Sequence, residues 1–366
     1  MSERIVVAMS GGVDSSVTAC LLKKHGCDVI GVHMRVWHYE QGDSCAARFN
    51  TCCTPKDMED ARGVAEQFGF PFYNIDFERD FDRKVVSPFV SEYLRGRTPN
   101  PCVHCNTHLK LGVLLSKAKL YGAGAVATGH YVKVEQHPAT GRFSLRRGKD
   151  RAKDQSYPLF ELRQEQLACL RTPLGDYTKD EVRQMAREFG LRVAEKPDSY
   201  EICFIPDNDY RRFLRQRAEV HRAMDAGDIV DAQGRVVGRH EGIAFYTIGQ
   251  RRGLGGGRDK PLYVVDLRPE SNQVVVGESE ELLARGLEAR GCNWVAAAGL
   301  EIAEQVEAQI RNHHQPARAR IEPGADGRVI CRFEEPQRAV TPGQAVVFYQ
   351  GDRVFGGGWI ERPIFD

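Results

Sequence analysis

Hydrophobic and polar positions along this chain follow two different periods, and the change between them divides it. Arg4 to Met9 is a short apolar run of the kind a buried strand presents. Ser15 to His25 places Val17, Cys20 and Leu21 at helical spacing, and Asp28 to Trp37 is again β-rich. This is a βαβ start. Asp57 to Phe68 predicts a helix with Met58, Ala61, Val64 and Ala65 on one face, Phe70 to Phe77 a strand, Leu109 to Leu120 a helix and Ala123 to Thr128 a strand. That alternation predicts a doubly wound parallel sheet to about residue 200.

Beyond Asp198 the texture changes. Asp209 to Arg222 is a basic helix candidate, and Gly253 to Gly257 interrupts short strands at Leu262 to Leu267 and Gln273 to Gly277. From about Arg285, strands alternate with turns. Asp326-Gly327 separates Ala317–Glu322 from Arg328–Phe333, and Gly351-Asp352 separates Ala345–Gln350 from Val354–Ile360, a pattern expected of a β-barrel or sandwich. The expected fold is α/β: a parallel-sheet domain over 1–205, a small central domain over 206–280 and a C-terminal β-barrel over 281–366.

Lys and Arg (51) nearly cancel Asp and Glu (50), so no global basic field marks a nucleic-acid binder, and any RNA contact is local. The apolar run Ile5 to Met9 is far shorter than a signal segment and no stretch approaches a membrane span, so a cytoplasmic protein is expected. In a reducing compartment, eleven cysteines point to catalysis, metal binding or burial rather than disulfides.

Directly after the first strand comes Ser10-Gly11-Gly12-Val13-Asp14-Ser15-Ser16, opening into a helix. Paired glycines let backbone N–H groups approach an anion, the serines offer hydroxyls, and the helix N-terminus adds positive potential, which suits a pyrophosphate. The bland reading is a tight turn capped by Ser10 or Asp14. No Lys follows as in a Walker loop, and the pattern is not GxGxxG. The run Ala8-Met9-Ser10-Gly11-Gly12-Val13-Asp14-Ser15-Ser16 resembles the PP-loop of N-type ATP pyrophosphatases, a HUP-like fold whose members cleave ATP between its α and β phosphates to adenylate a substrate oxygen. The resemblance implies ATP binding by Ala8 to Ser15, with Met34 and Gly129 lining the adenine and ribose site and Mg²⁺ accompanying the nucleotide.

Adenylation serves several chemistries, and the cysteines choose among them. Thr98-Pro99-Asn100-Pro101-Cys102-Val103-His104-Cys105-Asn106 sets a C-x-x-C in a Pro-stiffened loop before a helix, where the helix dipole would lower a thiol pKa, and Cys203 lies in Ile202-Cys203-Phe204-Ile205. With Lys153-Asp154-Gln155-Ser156-Tyr157 and Thr247-Ile248-Gly249-Gln250-Arg251-Arg252-Gly253, these segments resemble the tRNA-specific 2-thiouridylases across essentially the whole chain. The resemblance implies that Cys105 is the nucleophile and Cys203 carries sulfur as a persulfide, supplied by a relay protein or cysteine desulfurase. ATP would adenylate O2 of a wobble uridine. Persulfide sulfur would then attack C2, and Cys105 would close a disulfide with Cys203 or release the terminal sulfur first.

Cys102 stands where many family members carry Asp, and a thiol is a poor substitute for a carboxylate in proton transfer. Cys102, Cys105 and Cys203 together could instead hold a [4Fe-4S] cluster with one iron open to a substrate sulfur. A structural zinc site completed by Cys45, Cys52 or Cys53 is the bland alternative. Cys20, Cys27, Cys169, Cys292 and Cys331 read as core.

Arg142, Arg146, Arg147, Lys149, Arg151 and Lys153 make a basic run that either grips phosphates or is a solvated hairpin. Arg211, Arg212, Arg215 and Arg217 form a second patch, and Arg311, Arg318 and Arg320 a third. By resemblance, Lys153, Asp154, Gln155, Arg311, Asn312 and Gln344 contact tRNA, Asn100, Pro101 and Cys102 meet the target base, and His130 sits beside it as a binding residue. Asn312 replaces an aromatic of the family. Rival readings are a lysidine synthetase or amidotransferase, which need neither Cys105 nor Cys203, and a non-catalytic RNA adaptor.

Overall fold

Val6 and Val7 are fully buried, and the cluster under Ile5, Val7 and Met9 takes only the odd-numbered side chains of their strand. The strand is therefore covered on both faces, as a central parallel strand must be. The computed structural model describes residues 2–37, 54–198, 202–218, 221–254 and 260–366. It divides into two units, one of Met1–Val86, Pro101–Asp209 and Asp352–Val354, the other of Ser87–Asn100, Tyr210–Gly351 and Phe355–Asp366.

The first unit is built on β1 (Arg4–Ala8), β2 (Asp28–Arg35), β3 (Phe72–Asp76), β4 (Ala125–Ala127) and β7 (Leu170–Arg171), all parallel in the order β3-β2-β1-β4-β7. Helices α1 (Val13–Lys24) and α2 (Pro55–Phe68) and the helix Lys179–Glu188 share one apolar cluster with β1 through Val17, Leu21, Val64, Val182 and Ala186. Thr54 and Asp57 form a reciprocal capping box at the start of α2 with Pro55 at the first helical position, and Gly69 in the left-handed conformation ends it. Strand order reverses between β1 and β4, so the loops after these strands flank the crevice where open α/β sheets take ligands. A hairpin of β5 (Val132–Gln136) and β6 (Phe143–Arg147) completes this unit.

In the second unit, β8 (Gly227–Val230), β9 (Val236–His240), β10 (Tyr263–Arg268) and β11 (Gln273–Gly277) form a mixed sheet in the order β10-β11-β8-β9. Strands β12 (Leu283–Trp294), β13 (Glu304–Gln309), β14 (Ala317–Pro323), β15 (Val329–Arg338), β16 (Ala345–Gln350) and β17 (Arg353–Ile364) form a closed antiparallel barrel in the order β12-β15-β14-β13-β16-β17, β12 meeting both β15 and β17. Leu287, Ile321, Phe348 and Ile360 fill it. Trp294 stacks on Phe348 at 6.3 Å, and Asp326 and Gly327, both at positive φ, turn β14 into β15. The segment Ser87–Asn100 joins this unit through Tyr93, whose ring stacks on Tyr210 at 4.8 Å.

Several expected elements shift at their ends, among them α2, which starts at Pro55 rather than Asp57, and β15, which runs on to Arg338 rather than ending at Phe333. Helix α1 begins at Val13 rather than Ser15, and the basic helix spans Tyr210–Arg217, shorter than Asp209 to Arg222. The helix expected from Leu109 begins at Pro101, passes through a π-helical stretch over Cys105–Leu114 and ends at Leu120. The C-x-x-C therefore lies in helical turns and not in the loop before them, because Pro101 sits at a first helical position where its missing N–H costs nothing.

Candidate active site

The loop after β1 is shaped by contacts that only glycine satisfies. Gly11 has φ +76°, and a Cβ there would lie 2.1 Å from the Asp57 carbonyl oxygen. A Cβ on Gly129, after β4, would lie 2.9 Å from backbone atoms of Asp14 and Ser15, so the two loops flanking the crevice meet at a glycine. Gly12 is the N-cap of α1 and makes no side-chain cap, so neither Ser10 nor Asp14 plays the capping role and the first-turn N–H groups are not spent on one. The Ser10 N–H donates to Ser15 Oγ at 3.2 Å, and their hydroxyl oxygens lie 3.3 Å apart. Ser16, expected to offer its hydroxyl to an anion, is fully buried and donates it to the Gly12 carbonyl at 2.9 Å, because its turn already faces the core. Ala8 and Met9 are buried, Val13 anchors α1 in the core, and Met34 is half-buried near the end of β2.

Two lysines brace this loop, and local sequence gives no sign of either. Lys179, its side chain 9% exposed, donates to both oxygens of Asp14 at 2.8 Å and pairs with Asp198 at 2.7 Å. The Tyr131 hydroxyl also donates to Asp14, at 2.7 Å. Burial, with Asp14 beside it, drives the Tyr131 pKa well up, so the phenol stays protonated. Asp198 also receives Lys153 at 2.8 Å. Burial opposes its ionisation, yet the two ammonium groups outweigh burial and hold its carboxyl below the usual range. Lys196 donates to the Gly11 carbonyl at 2.9 Å and to Asp57 and Asp60 at 2.6 Å each, tying the loop to the first turn of α2.

Cys102 is exposed, and Cys105 and Cys203 are half-buried. Cys105 opens the π-helical stretch, and the buried Asn106 after it donates to the Pro158 carbonyl at 3.4 Å. Phe204, next to Cys203, is buried and meets Phe81 at 5.5 Å and Trp37 at 6.2 Å. The turn Glu78–Phe81 packs in turn against the π-helical stretch. All three thiols thus belong to the first unit. Cys45, Cys52 and Cys53 lie outside the described residues. Cys20 and Cys331 are buried as expected, and burial pushes the Cys20 thiol up to about 12; Cys27, Cys169 and Cys292 are only half-buried.

His130 is buried, 2.8 Å from the Thr128 hydroxyl, and desolvation with the nearby Lys110 charge holds its pKa well below the ordinary value. A neutral imidazole results. Of the basic run, Arg146 pairs with Glu135 and Asp352, Lys149 with Glu181, and Lys153 with Asp198, so these charges are answered within the unit. Gln155 accepts from the Tyr131 N–H at 3.1 Å, and Asp154 accepts from the Ser156 hydroxyl at 2.7 Å. In the second unit, Gln344 donates to the carbonyls of Thr98 and Pro99 at 3.1 Å, fixing the approach to Asn100. Arg311 and Asn312 are exposed, as are Arg318 and Arg320. Arg215 lies over the Phe245 ring at 4.6 Å, so part of the second patch is packing.

A parallel sheet carrying a Ser-Gly-Gly loop at its switch point, followed by a small sheet domain and a barrel, defines a HUP-domain, PP-loop nucleotide-using protein. Family models match in that order: a tRNA methyl transferase HUP domain over residues 3–207, a tRNA methyl transferase PRC-barrel domain over 211–278 and an aminomethyltransferase β-barrel domain over 284–360. The tRNA-specific 2-thiouridylase MnmA of Geobacter metallireducens is 54% identical over 99% of this chain and 98% of its own length. Those of Geotalea uraniireducens (51%, covering 99% and 96%) and Heliobacterium modesticaldum (52%, covering 100% and 94%) are similar. The chain belongs to the tRNA-specific 2-thiouridylase family. Among the described residues no helix is long and apolar enough to cross a membrane.

Proposed function

We propose that this chain is a tRNA-uridine 2-sulfurtransferase that uses ATP to convert a wobble uridine to 2-thiouridine. The observation that carries the reading is the presence, in one unit, of the Ser10–Ser15 loop and the Cys105 and Cys203 segments. The loop N–H groups from Gly11 to Val13 receive the phosphates, and Met34 and Gly129 border the nucleoside. O2 of the uridine attacks the α-phosphorus and pyrophosphate leaves. A persulfide on Cys203, loaded by an external donor, attacks C2 through its terminal sulfur, and AMP departs with the old O2. Cys105 thiolate then attacks the Cys203 sulfur, forming a Cys105–Cys203 disulfide and freeing 2-thiouridine, and an external thiol resets the pair. Alternatively, Cys105 attacks first and releases hydrosulfide as the nucleophile.

Asn100, Pro101, Cys102 and neutral His130 border the base, and Lys153, Asp154, Gln155, Arg311, Asn312 and Gln344 serve tRNA binding, Gln344 by holding the Thr98–Pro99 backbone. In this reading residues 1–205 carry catalysis together with the Lys153–Gln155 contact, 206–280 form a small central tRNA-binding domain and 281–366 the C-terminal barrel with Arg311, Asn312 and Gln344. Both Asp14 oxygens accept from Lys179, so a Mg²⁺ accompanying the nucleotide would have to compete with that ammonium group for Asp14.

A second reading keeps the reaction and places a [4Fe-4S] cluster on Cys102, Cys105 and Cys203. It is favoured by exposed Cys102 lying three residues before Cys105 on the same helical face. Such a cluster would carry the sulfur at an open iron. Methyl transfer, named in the family models, requires neither an adenylating loop nor paired cysteines.

The test is thiolation of unmodified tRNA with ATP and a persulfide donor. Cys203→Ser and Cys105→Ser should abolish 2-thiouridine while uridine-dependent pyrophosphate release persists. Full thiolation by Cys203→Ser would end the reading.

A further inference from the structure

Among the described residues, His104, His108 and Glu161 form a group of side chains close enough to share a metal ion. His104 and His108 lie four residues apart on one face where the helix passes into its π-helical stretch, their rings stacked at 5.6 Å and 18°. Glu161, from the segment after Tyr157–Leu159, places its carboxylate 3.9 Å from His108 Nε2. One donor atom from each residue lies within 4.8 Å of the others.

We propose that His104, His108 and Glu161 bind one divalent transition-metal ion, zinc in type, leaving a coordination position open to solvent. Two imidazoles and a carboxylate are the protein donor set of three-ligand zinc centres. Nitrogen donors favour such ions over Mg²⁺ or Ca²⁺, which take oxygen. Burial is graded in the way a site requires. The Glu161 side chain is 19% exposed, so its charge is largely withdrawn from water and gains from a cation, while His108 at 46% gives the ion an entry path. Bonds of about 2.0–2.1 Å put tetrahedral donors roughly 3.3 Å from one another, so metal binding would draw the present donors together by up to about 1.5 Å. The bound ion ties the start of the Cys105 helix to the Phe160–Leu162 segment. The site does not depend on the thiolation reading.

The experiment uses the full chain with Cys102, Cys105 and Cys203 all changed to Ser, stripped with chelator and titrated with Co²⁺ under an absorbance readout, then with Zn²⁺ in competition. One equivalent should bind with weak visible bands and no intense sulfur-to-cobalt transition. His108→Gln and Glu161→Gln should each weaken uptake by at least the roughly 10- to 100-fold that loss of an outer partner costs a metal site. His108 is a surface position, so its variant tests the site without disturbing the core. Failure of the serine variant to take up cobalt, a thiolate spectrum, or uptake unchanged in His108→Gln would overturn the proposal.

Discussion

Lys179 holds both carboxylate oxygens of Asp14 at 2.8 Å, across 165 residues of chain. The ammonium group stands between Asp14 and Asp198 and is the cation common to both. Lys179→Met removes the ammonium group from Asp14, which keeps the Tyr131 hydroxyl, and from Asp198, which keeps Lys153 and Arg183, and the expected loss is roughly 1–3 kcal/mol of stability at neutral pH. Asp198 is held below the usual carboxylate range, so its contribution is present above the ordinary aspartate pKa and lost as pH falls through the depressed value. The deficit of the variant should therefore shrink below about pH 4. Urea unfolding of both proteins across that range measures it; a constant deficit would assign the loss to packing.

Gly129→Ala places a methyl group 2.9 Å from the first turn of α1. The clash costs about 1–3 kcal/mol and falls on the loop that shapes the nucleotide crevice. ATP affinity measured by calorimetry should drop at least about tenfold while circular dichroism stays that of the parent. Unchanged affinity would remove Gly129 from the site.

Glu288 is buried inside the barrel wall, bonded to Arg328 and, at 2.9 Å, to Arg362. The Arg328 guanidinium foremost holds its carboxyl below the usual range. Both arginines reach water, so Glu288→Ala releases them to solvent rather than stranding them, and the expected loss is about 1–3 kcal/mol. The wild-type gain is complete above the ordinary glutamate pKa and disappears as pH falls through the lowered one, which chemical unfolding at neutral and acid pH will show.

Anaerobically purified protein and its Cys102→Ala variant separate the two sulfur-transfer readings. Stoichiometric iron and sulfide lost in the variant would place a cluster on Cys102, Cys105 and Cys203. Iron-free protein that still thiolates tRNA would leave the persulfide on Cys203 and the nucleophile Cys105.

The parts legible in the sequence are those whose cause is local. Ser10 to Ser15 follow an apolar strand and open a helix, and the Cys102–Cys105 spacing lies on consecutive residues, so both announce themselves. Alternation and paired turns around Asp326-Gly327 and Gly351-Asp352 expose the barrel strands in the same way. Lys179 and Lys196 do not, because their partners Asp14, Gly11 and Asp57 lie more than a hundred residues away and only the folded sheet brings them together. The basic run from Arg142 looked solvated or RNA-facing because its counter-ions, Glu181, Asp198 and Asp352, come from other elements. Glu161 lacks any local tie to His108 for the same reason.

Lys196 and Asp198 are fastened to the nucleotide loop, and Cys203 follows Asp198 by five residues. Five residues of extended chain span at most about 18 Å. Cys203 thus stays within that reach of the residues fastened to the Ser10–Ser15 loop. If Cys203 carries sulfur as proposed, that reach sets the greatest distance between the sulfur and the loop proposed to receive the phosphates.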